Sequence, residues 1–168
     1  MLIGIISDTH GYLHPAVHND FAGVDLILHA GDAGTVAVID ELATIAPVKG
    51  VYGNVDGMDV RQIWPEHERL ELEGLQFWMT HIGGRPERYD SRVSAELRED
   101  PPDVFICGHS HILRIERDDK LGRMLFINPG AAGRQGLHRV KTCVRLHVES
   151  GVVQQAEVIH LDQEQQGL

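Results

Sequence analysis

The sequence predicts an α/β fold in which two mixed β-sheets pack together and helices flank them. In the first half of the 168-residue chain, short apolar runs alternate with loops and a helix-like segment. This β-loop-α-β rhythm is typical of a parallel sheet with crossover helices. The second half consists mostly of strand-like runs joined by turns, which indicates a second sheet. We expect a single domain over residues 1–168.

The first half contains three strand-like runs and one helix. MLIGII and VDLILH are continuously apolar and typical of buried strands, and PVKGVYGN is a third run that ends in glycine and asparagine. TVAVIDELATIA has apolar residues at helical spacing, and Thr35 at its start is a candidate N-cap. The polar segment SDTHGYLHP, between the first two strands, is a predicted loop.

Strands dominate the second half. RLELEG and LQFWMTH predict a hairpin around Gly74, and PDVFICGH predicts another buried strand. ILRIERD, RMLFINPG and CVRLHVESGVVQQAEVIHL predict further strands, the last pair joined by a turn at Ser150-Gly151. One helix is predicted over SRVSAELRED, and it ends before Pro101 and Pro102.

The charge balance limits the classes of partner. The chain has 15 lysines and arginines against 25 acidic residues, a formal net charge of −10. No lysine or arginine cluster forms the basic face that an extended nucleic-acid surface needs. An acidic chain also repels phosphate substrates unless something local reverses the field, and a bound divalent metal ion does so. The composition therefore argues against nucleic acid as a partner.

The start of the chain and its cysteines bear on location. MLIGIISDTH is apolar but has no basic segment, and Asp8 interrupts the run early, so we expect neither a signal peptide nor a membrane span. Cys107 and Cys143 form no disulfide framework, and Cys107 lies in the apolar run VFIC. We therefore expect a cytoplasmic protein without a membrane partner.

Five of the predicted apolar strands end in potential metal ligands. In chain order, these residues are Asp8 and His10, Asp32, Asn54 and Asp56, His81, and finally His109 and His111. In an open α/β sheet, ligands bind at the carboxyl ends of the strands, so distant residues can converge there. Glycines precede Asp32, Asn54 and His109, which lets the backbone approach closely.

The types of ligand predict two transition-metal ions. Imidazole with carboxylate suits Mn, Fe, Zn, Ni or Co better than Ca or Mg. A two-metal site uses about seven protein groups if one carboxylate bridges the ions. Seven such groups are available: Asp8, His10, Asp32, Asn54, His81, His109 and His111. We favour Mn²⁺, with Fe, Ni, Co and Zn as alternatives.

DTH, GD, GNVD, the isolated His81 and GHSH occur in this order, and with them the sequence resembles the calcineurin-like metallophosphoesterase superfamily. The length and the NPGAAG segment resemble its small bacterial and archaeal phosphodiesterase branch. The resemblance extends from Met1 to about Ile159. Each short motif alone is weak, but five in order at strand ends are specific. The resemblance implies a metallophosphoesterase-like β-sandwich.

The resemblance also implies a role for each ligand. The first metal ion would be held by Asp8, His10 and His111, the second by Asn54, His81 and His109, and Asp32 would bridge both. A hydroxide bridging the metal ions would be the nucleophile. Asn54 and His109 would be catalytic groups that stabilise charge on the phosphoryl oxygens.

One position departs from many members of the superfamily. Where the asparagine motif reads GNHE or GNHD in them, its histidine is taken as the proton donor to the leaving group. Val55 occupies that position here and cannot donate a proton. The small phosphodiesterase branch also lacks this histidine, so activity is compatible with valine, but the general acid is unidentified.

Each ligand also has a structural alternative when it is considered alone. Asp32 could be a helix N-cap, Asn54 a left-handed turn residue, and His81 a surface histidine at a strand end. Asp8 and His10 could belong to an N-cap and loop, and His109 and His111 to a solvated turn. Their occurrence together favours metal ligation.

Three further residues are candidates next to the ligand set. His29, inside the apolar LILH, is predicted to be a satisfied core histidine or a partner of a ligand, not a ligand itself. Asp56 could orient a ligand histidine as a hydrogen-bond acceptor. Arg134, after NPGAAG, could reach a substrate phosphate or be a plain surface arginine. The six remaining histidines, His138 among them, are predicted to lie at the surface.

We therefore expect a dinuclear metal-dependent phosphohydrolase, a phosphodiesterase acting on a small phosphate ester. The alternatives are a phosphomonoesterase and a catalytically weak protein-interaction scaffold of the same fold, such as the superfamily member in the retromer coat. A scaffold has no reason to retain all seven ligands. Specificity is expected from GGRPERYDSR, after His81, and from the loops near Asp59 and Arg134. The substrate and the oligomeric state are open, and a homo-oligomer is one option.

Overall fold

A computed structural model describes residues 1–162 and places two five-stranded mixed sheets face to face. The last six residues of the expected domain, 163–168, lie outside the described residues. The first sheet contains β1 Leu2–Ile6, β2 Leu26–His29, β3 Val48–Gly50, β11 Thr142–Glu149 and β12 Val152–His160. The second contains β4 His67–Leu72, β5 Leu75–Thr80, β8 Val104–Ile106, β9 Arg114–Asp118 and β10 Met124–Asn128. In the first sheet the order is β12-β11-β1-β2-β3, and in the second it is β4-β5-β8-β10-β9.

Short helices and one small hairpin complete the described chain. The helices are α1 Ala16–Asp20, α2 Val36–Ala43, α3 Met58–Arg61 and α4 Ser94–Glu99, with a 3-10 turn over Asp119–Leu121. The two-stranded hairpin is β6 Gly84–Arg85 with β7 Arg88–Tyr89. The predicted strands and both predicted helices are confirmed. α1, α3 and the hairpin were not predicted, because elements of two to five residues are too short to show a hydrophobic period.

The parallel strands of both sheets point their carboxyl ends to the same region. β1, β2 and β3 are parallel neighbours in the first sheet, and β5, β8 and β10 are parallel neighbours in the second. Antiparallel partners, such as β11 beside β1 and β4 beside β5, make each sheet mixed. The loops after the parallel strands therefore meet along one edge of the sandwich.

The core consists of a layer between the sheets and two outer layers beneath helices. Ile3, Ile5 and Ile106 belong to the buried cluster that joins the two sheets. Ile6 faces the other way, into the cluster that α1 and α2 cover. Because neighbouring residues of a strand point to opposite faces, a continuously apolar run such as MLIGII fits a sheet that is covered on both sides. α4 covers the outer face of the second sheet, where Trp78 lies buried.

Two details of the sequence prediction are settled by the fold. Thr35 is the N-cap residue of α2, but its side chain makes no capping hydrogen bond, so the position is right and the expected contact is wrong. Cys107 and Cys143 are both buried and free.

No helix within residues 1–162 is long and apolar enough to cross a bilayer.

Candidate metal centre

The loops after β1, β2, β5 and β8 bring six of the seven predicted ligands into two adjoining groups. The first group is Asp8, His10 and His111, and the second is Asp32, His81 and His109. Within each group, the ligand atoms lie within 4.8 Å of one another. Each group takes residues from both sheets, so the site closes one edge of the sandwich.

Five of these ligands have an unusual backbone conformation. The φ angles of Asp8, His10, Asp32, His109 and His111 lie between 48° and 68°, in the left-handed region. L-residues other than glycine rarely adopt it, and each instance costs on the order of 1 kcal/mol. Such residues cluster where the fold has to aim a side chain at a fixed point.

One carboxylate oxygen of Asp8 is hydrogen-bonded to neighbouring loops, and the other faces the histidines of the site. Ser7 Oγ donates to Oδ2 at 2.6 Å, and the backbone N–H of His109 donates to the same oxygen at 3.1 Å. Oδ1 faces His111 Nε2 at 3.1 Å and His10 Nε2 at 3.8 Å. Burial raises the pKa of Asp8, but the hydrogen bond from His111 and the nearby His81 lower it further, so the net direction is down.

Asp32 lies between the two groups. Its Oδ1 accepts a hydrogen bond from the N–H of Val55 at 3.0 Å. Its Oδ2 lies 3.1 Å from Nε2 of His81, in one group, and 4.0 Å from Nε2 of His10, in the other. Burial raises the pKa of Asp32, yet the contacts with His81 outweigh it and the pKa falls below its usual value. Asp32 does not cap α2, which begins four residues later at Val36, directly after its N-cap residue Thr35.

His81 carries the sharpest indication of an absent partner. Its Nδ1–H donates to the carbonyl of Ala30 at 2.8 Å, so Nε2 holds the free lone pair. This Nε2 is buried and has no hydrogen-bond partner among the described residues. A second acceptor, Asp32 Oδ2, faces it without hydrogen-bond geometry. Two electron-pair donors that face each other in a buried site fit a cation between them.

The pKa values of His111, His109 and His81 follow from their surroundings. The hydrogen bond with Asp8 raises the pKa of His111, whereas burial lowers that of His109. For His81, burial lowers the pKa, but Asp32 and Asp8 raise it further, so its net direction is upward. Protons therefore compete with cations for His81 and His111, which makes metal binding weaken in acid.

Glycines allow the loops to pack this closely. A Cβ on Gly53 would collide with Oδ1 of Asp32, and one on Gly108 would meet Oδ2 of Asp8 at 2.7 Å. Neither position has a left-handed backbone, so the requirement is for space and not for a turn. The expectation of close approach at these two glycines is confirmed.

Asp56 joins the loop of Asp32 to the loop of Asn54. It is buried, and its carboxylate accepts from the N–H groups of Gly53 at 2.8 Å, Gly34 at 2.8 Å and Ala33 at 3.3 Å. The expectation that it accepts from a ligand histidine is therefore wrong, because backbone amides occupy both oxygens. Asp56 positions ligands through the backbone.

His29 is a satisfied buried histidine, as predicted. Its Nδ1 accepts from the N–H of Gly31 at 3.1 Å, and its Nε2 lies 2.9 Å from Thr9 Oγ1. Because the Thr9 hydroxyl donates to the carbonyl of Ala33, His29 Nε2 carries the proton and donates to Thr9. Complete burial lowers the pKa of His29 to about 4. The ring ties together the loops that hold Asp8 and Asp32.

Asn54 and Arg134 lie at the rim. Asn54 is exposed, lines a cleft together with His81, and does not have the left-handed backbone of its structural alternative. The guanidinium of Arg134 lies over the ring of Tyr12, with 3.7 Å between Cζ and the ring centroid. This contact explains the position of the Arg134 side chain without a bound phosphate. The side chain is nevertheless exposed.

One residue near the site was wrongly predicted to be a surface residue, and a second residue fixes a ligand-bearing turn. His138, predicted to be a surface residue, is half-buried and packs edge-on against His111, with ring centroids 5.0 Å apart. No motif marks it, because the contact arises from a loop that folds back. Asn128 donates from Nδ2 to the carbonyl of Gly108 and to Ser110 Oγ, both at 3.0 Å, and so fixes the turn that carries His109 and His111.

Comparison with known proteins agrees with this geometry. A family model described as the calcineurin-like phosphoesterase superfamily domain matches residues 1–151. The chain belongs to this superfamily. A probable metallophosphoesterase of Methanocaldococcus jannaschii is 36% identical over 139 residues, which cover 78% of this chain and 68% of that protein. The resemblance inferred from the motifs is confirmed.

Solved structures of the calcineurin-like superfamily fold confirm the architecture. An archaeal phosphodiesterase superposes with a TM-score of 0.74 at 26% identity, covering 95% of this chain and 99% of that one. Wild-type Vps29 from Entamoeba histolytica, solved in complex with Zn²⁺, superposes with a TM-score of 0.70 at 24% identity, covering 96% and 100%. The predicted pair of packed mixed sheets is therefore the fold of the superfamily.

Proposed function

We propose that this calcineurin-like protein is a dinuclear metal-dependent phosphodiesterase that acts on small phosphate esters. The observation that carries the proposal is the position of Asp32. One of its oxygens faces the orphaned Nε2 of His81 and also Nε2 of His10, so one carboxylate addresses both ligand groups. The archaeal phosphodiesterase of the same fold supports the choice of reaction.

Each residue has a definite part in this proposal. Asp8, His10 and His111 would hold one ion, His81, His109 and Asn54 the other, and Asp32 would contact both. Bound divalent ions supply an activated water and neutralise charge on the phosphoryl group. Asn54 and His109 are exposed enough to meet the substrate and stabilise charge on its oxygens. Asp56 and His29 are buried and hold the ligand loops together through hydrogen bonds.

The donor set favours Mn²⁺ over Mg²⁺ in this proposal. Four of the seven proposed ligands are imidazoles, whereas Mg²⁺ prefers an octahedral set of oxygens. Fe, Ni, Co and Zn also suit imidazole with carboxylate. The buried, free cysteines fit a cytoplasmic enzyme.

A protein-interaction scaffold is the second candidate function. Vps29 shares the fold, and its structure with Zn²⁺ means that metal binding alone does not separate the two functions. Turnover therefore has to be measured beside metal content. The same assay separates the phosphodiesterase from a phosphomonoesterase when it includes both types of ester.

The test uses metal-stripped protein with and without added Mn²⁺. Bis-p-nitrophenyl phosphate reports diesterase activity, p-nitrophenyl phosphate reports monoesterase activity, and mass spectrometry counts the metal. We expect two ions and Mn²⁺-dependent diester hydrolysis in the wild type. His81→Ala should lose one ion and the activity, whereas His147→Ala, on the exposed side of β11, should retain both.

The other possible results of this test refute the proposal or favour one of the two alternative functions. Full hydrolysis by metal-free protein would refute the proposal. Two bound ions without hydrolysis of either ester would favour the scaffold, and hydrolysis of the monoester alone would favour the phosphomonoesterase.

A further inference from the structure

A cleft rich in arginine opens beside the candidate metal centre. It has a volume of about 650 Å³ and lies between the β6–β7 hairpin and the second sheet. Its lining includes Arg85 and Arg88 of the hairpin, Arg114 of β9, and Ser110. Ser110 and Ile112 also line a neighbouring cleft that contains His109 and His111, so the two clefts adjoin.

The charge of this cleft is opposite to that of the chain. Three arginines and a single acid, Asp90, line it, although the whole chain has a net charge of −10. Asp90 already accepts a hydrogen bond from Arg92 at 3.1 Å. Arg114 pairs with Glu116, which does not line the cleft. The unneutralised positive charge therefore comes from the hairpin.

The hairpin places two like charges face to face. Arg85 and Arg88 are directly opposite each other in the antiparallel register, so both side chains leave the same face of the ribbon. Neither forms an ion pair or side-chain hydrogen bond with any residue between 1 and 162. Like charges in this arrangement destabilise a hairpin, and an anion bound between them removes that cost.

The remaining lining fits an organic group next to an anion. Tyr89 and Ile112 present apolar surface, and 67% of Ile112 is exposed. Asn128 and Ser110, which are hydrogen-bonded to each other, line the cleft next to the turn that carries His109 and His111. A molecule whose scissile phosphate lies at the metal centre would lay its organic portion along Tyr89 and Ile112 and reach the hairpin beyond them.

We propose that Arg85 and Arg88 bind a second phosphate group of the substrate, so that the enzyme prefers phosphodiesters whose organic portion carries an additional phosphate. This inference rests on the proposed function and names its substrate class. It also assigns a role to the GGRPERYDSR segment, from which specificity was expected but in which no motif could be read.

The test compares two chromogenic diesters that differ by one phosphate. They are thymidine 5′-(p-nitrophenyl phosphate) and the same compound with a 3′-phosphate, assayed with Mn²⁺. We expect the wild type to have a kcat/KM about tenfold higher for the 3′-phosphorylated compound, because one good charge-assisted contact is worth about that factor. The advantage should shrink as salt concentration rises.

Variants assign the preference to the hairpin. In R85Q/R88Q the two diesters should be hydrolysed equally, while bis-p-nitrophenyl phosphate is turned over as in the wild type. R98Q/R123Q removes two exposed arginines that do not line the cleft and should retain the preference. Equal rates for both diesters in the wild type, or a preference that survives in R85Q/R88Q, would overturn the inference while the proposed function stands.

A binding experiment keeps the inference testable if no diester is hydrolysed. Thymidine 3′,5′-bisphosphate and thymidine 5′-monophosphate are titrated into metal-free protein in EDTA, and the arginine Nε–H resonances are followed by NMR. Selective shifts of Arg85 and Arg88 with the bisphosphate would support the anion site even where the proposed reaction has failed. No shift, or equal shifts with both nucleotides, would refute it.

Discussion

At the scale of single residues, the site depends on which polar atom of each side chain bonds to the protein backbone and which atom is left to bind a metal ion. Asp8 and Asp32 each commit one carboxylate oxygen to a backbone N–H and leave the other for the site. His81 commits Nδ1 to a carbonyl and leaves Nε2 free. These hydrogen bonds fix the directions of these three free electron pairs before any ion arrives, which is the usual arrangement in metal sites.

Asp32→Asn should lose metal and nearly all turnover, on the order of 100-fold or more, because the amide has one weak acceptor where both ligand groups need a charged oxygen. Metal stoichiometry and the rate of diester hydrolysis are measured on the folded variant. Asp40→Asn, on the exposed face of α2, removes the same charge and serves as the matched control. Two bound ions and an unchanged rate in Asp32→Asn would show that Asp32 is only structural.

Val55 predicts a steep dependence of the rate on the leaving group. A general acid contributes roughly 10²–10⁴-fold and helps poor leaving groups most. Val55 is 58% exposed beside the site and has no proton to give. We expect aryl diesters to react far faster than alkyl diesters, and a plot of log kcat against leaving-group pKa at saturating Mn²⁺ measures the slope.

Val55→His is the companion variant to that leaving-group series. It should improve the poor leaving groups selectively, because it restores the histidine of the GNHD pattern. A nearly flat plot for the wild type, with chemistry shown to be rate-limiting by single-turnover kinetics, would mean that another residue is the acid.

His29 predicts a loss of stability in acid. Its pKa is about 4 in the folded protein and about 6.5 when exposed, so the unfolded chain binds this proton first as the pH falls. The stabilisation is therefore complete above about pH 6.5 and is lost progressively towards pH 4, up to roughly 3 kcal/mol. Urea unfolding of metal-free protein across this range measures it.

His29→Asn retains an acceptor for the N–H of Gly31 and has nothing to protonate. The difference in pH slope between this variant and the wild type isolates His29 from the other histidines. Identical slopes would mean that His29 does not bind its proton preferentially in the unfolded state.

At the scale of elements, the two arginines that give the β6–β7 hairpin its proposed function also repel each other and so destabilise it. Arg88→Glu replaces the like-charge pair with an ion pair opposite Arg85 and should stabilise the hairpin by about 0.5 kcal/mol. The Asp90 amide donates to the carbonyl of Gly83 at 3.0 Å across this ribbon, and its hydrogen exchange should slow about twofold, while the preference for a second phosphate disappears. Faster exchange in this variant would show that the arginines do not repel each other.

Elements also mark the limit of sequence-based prediction. The long strands and α2 were predictable because their apolar spacing is read directly from the chain. The hairpin was not, because two-residue strands on either side of Pro86-Glu87 leave no periodic signal. The cleft that it forms with β9 brings Arg114 next to Arg85 and Arg88, and no local pattern encodes that meeting.

At the scale of the whole molecule, the proposed ions connect the two sheets. Asp8 and Asp32 follow strands of the first sheet, whereas His81 and His111 follow strands of the second. Metal binding should therefore stabilise the native state as a unit. At a free ion concentration 100 times Kd the gain is about 2.7 kcal/mol, or a rise in Tm of roughly 5–10 °C for a chain of this size.

Calorimetry with EDTA and with Mn²⁺ measures this rise in Tm. Asp40→Asn should show the full rise and Asp32→Asn little of it. An unchanged Tm in the wild type would argue against ions between the sheets.

The whole-molecule arrangement also explains why the site could be anticipated and its surroundings could not. Ligands at the carboxyl ends of strands converge by topology alone, so Asp8, Asp32 and His81 were identifiable from strand order. The contacts of Asp56 and His138 depend on how loops fold over one another. Asp56 was expected to meet an imidazole and instead meets backbone amides, because Gly53 brings its loop against that of Asp32.

The left-handed backbone of five proposed ligands has a consequence for the evolution of such a protein. Glycine adopts this conformation freely, so replacing His10, His109 or His111 with glycine would relieve on the order of 1 kcal/mol of strain each. A lineage with no use for the metal would thus gain stability by losing these histidines. The strained positions would then be lost first, and a descendant that had lost them would still retain His81 and Asn54, which are not strained.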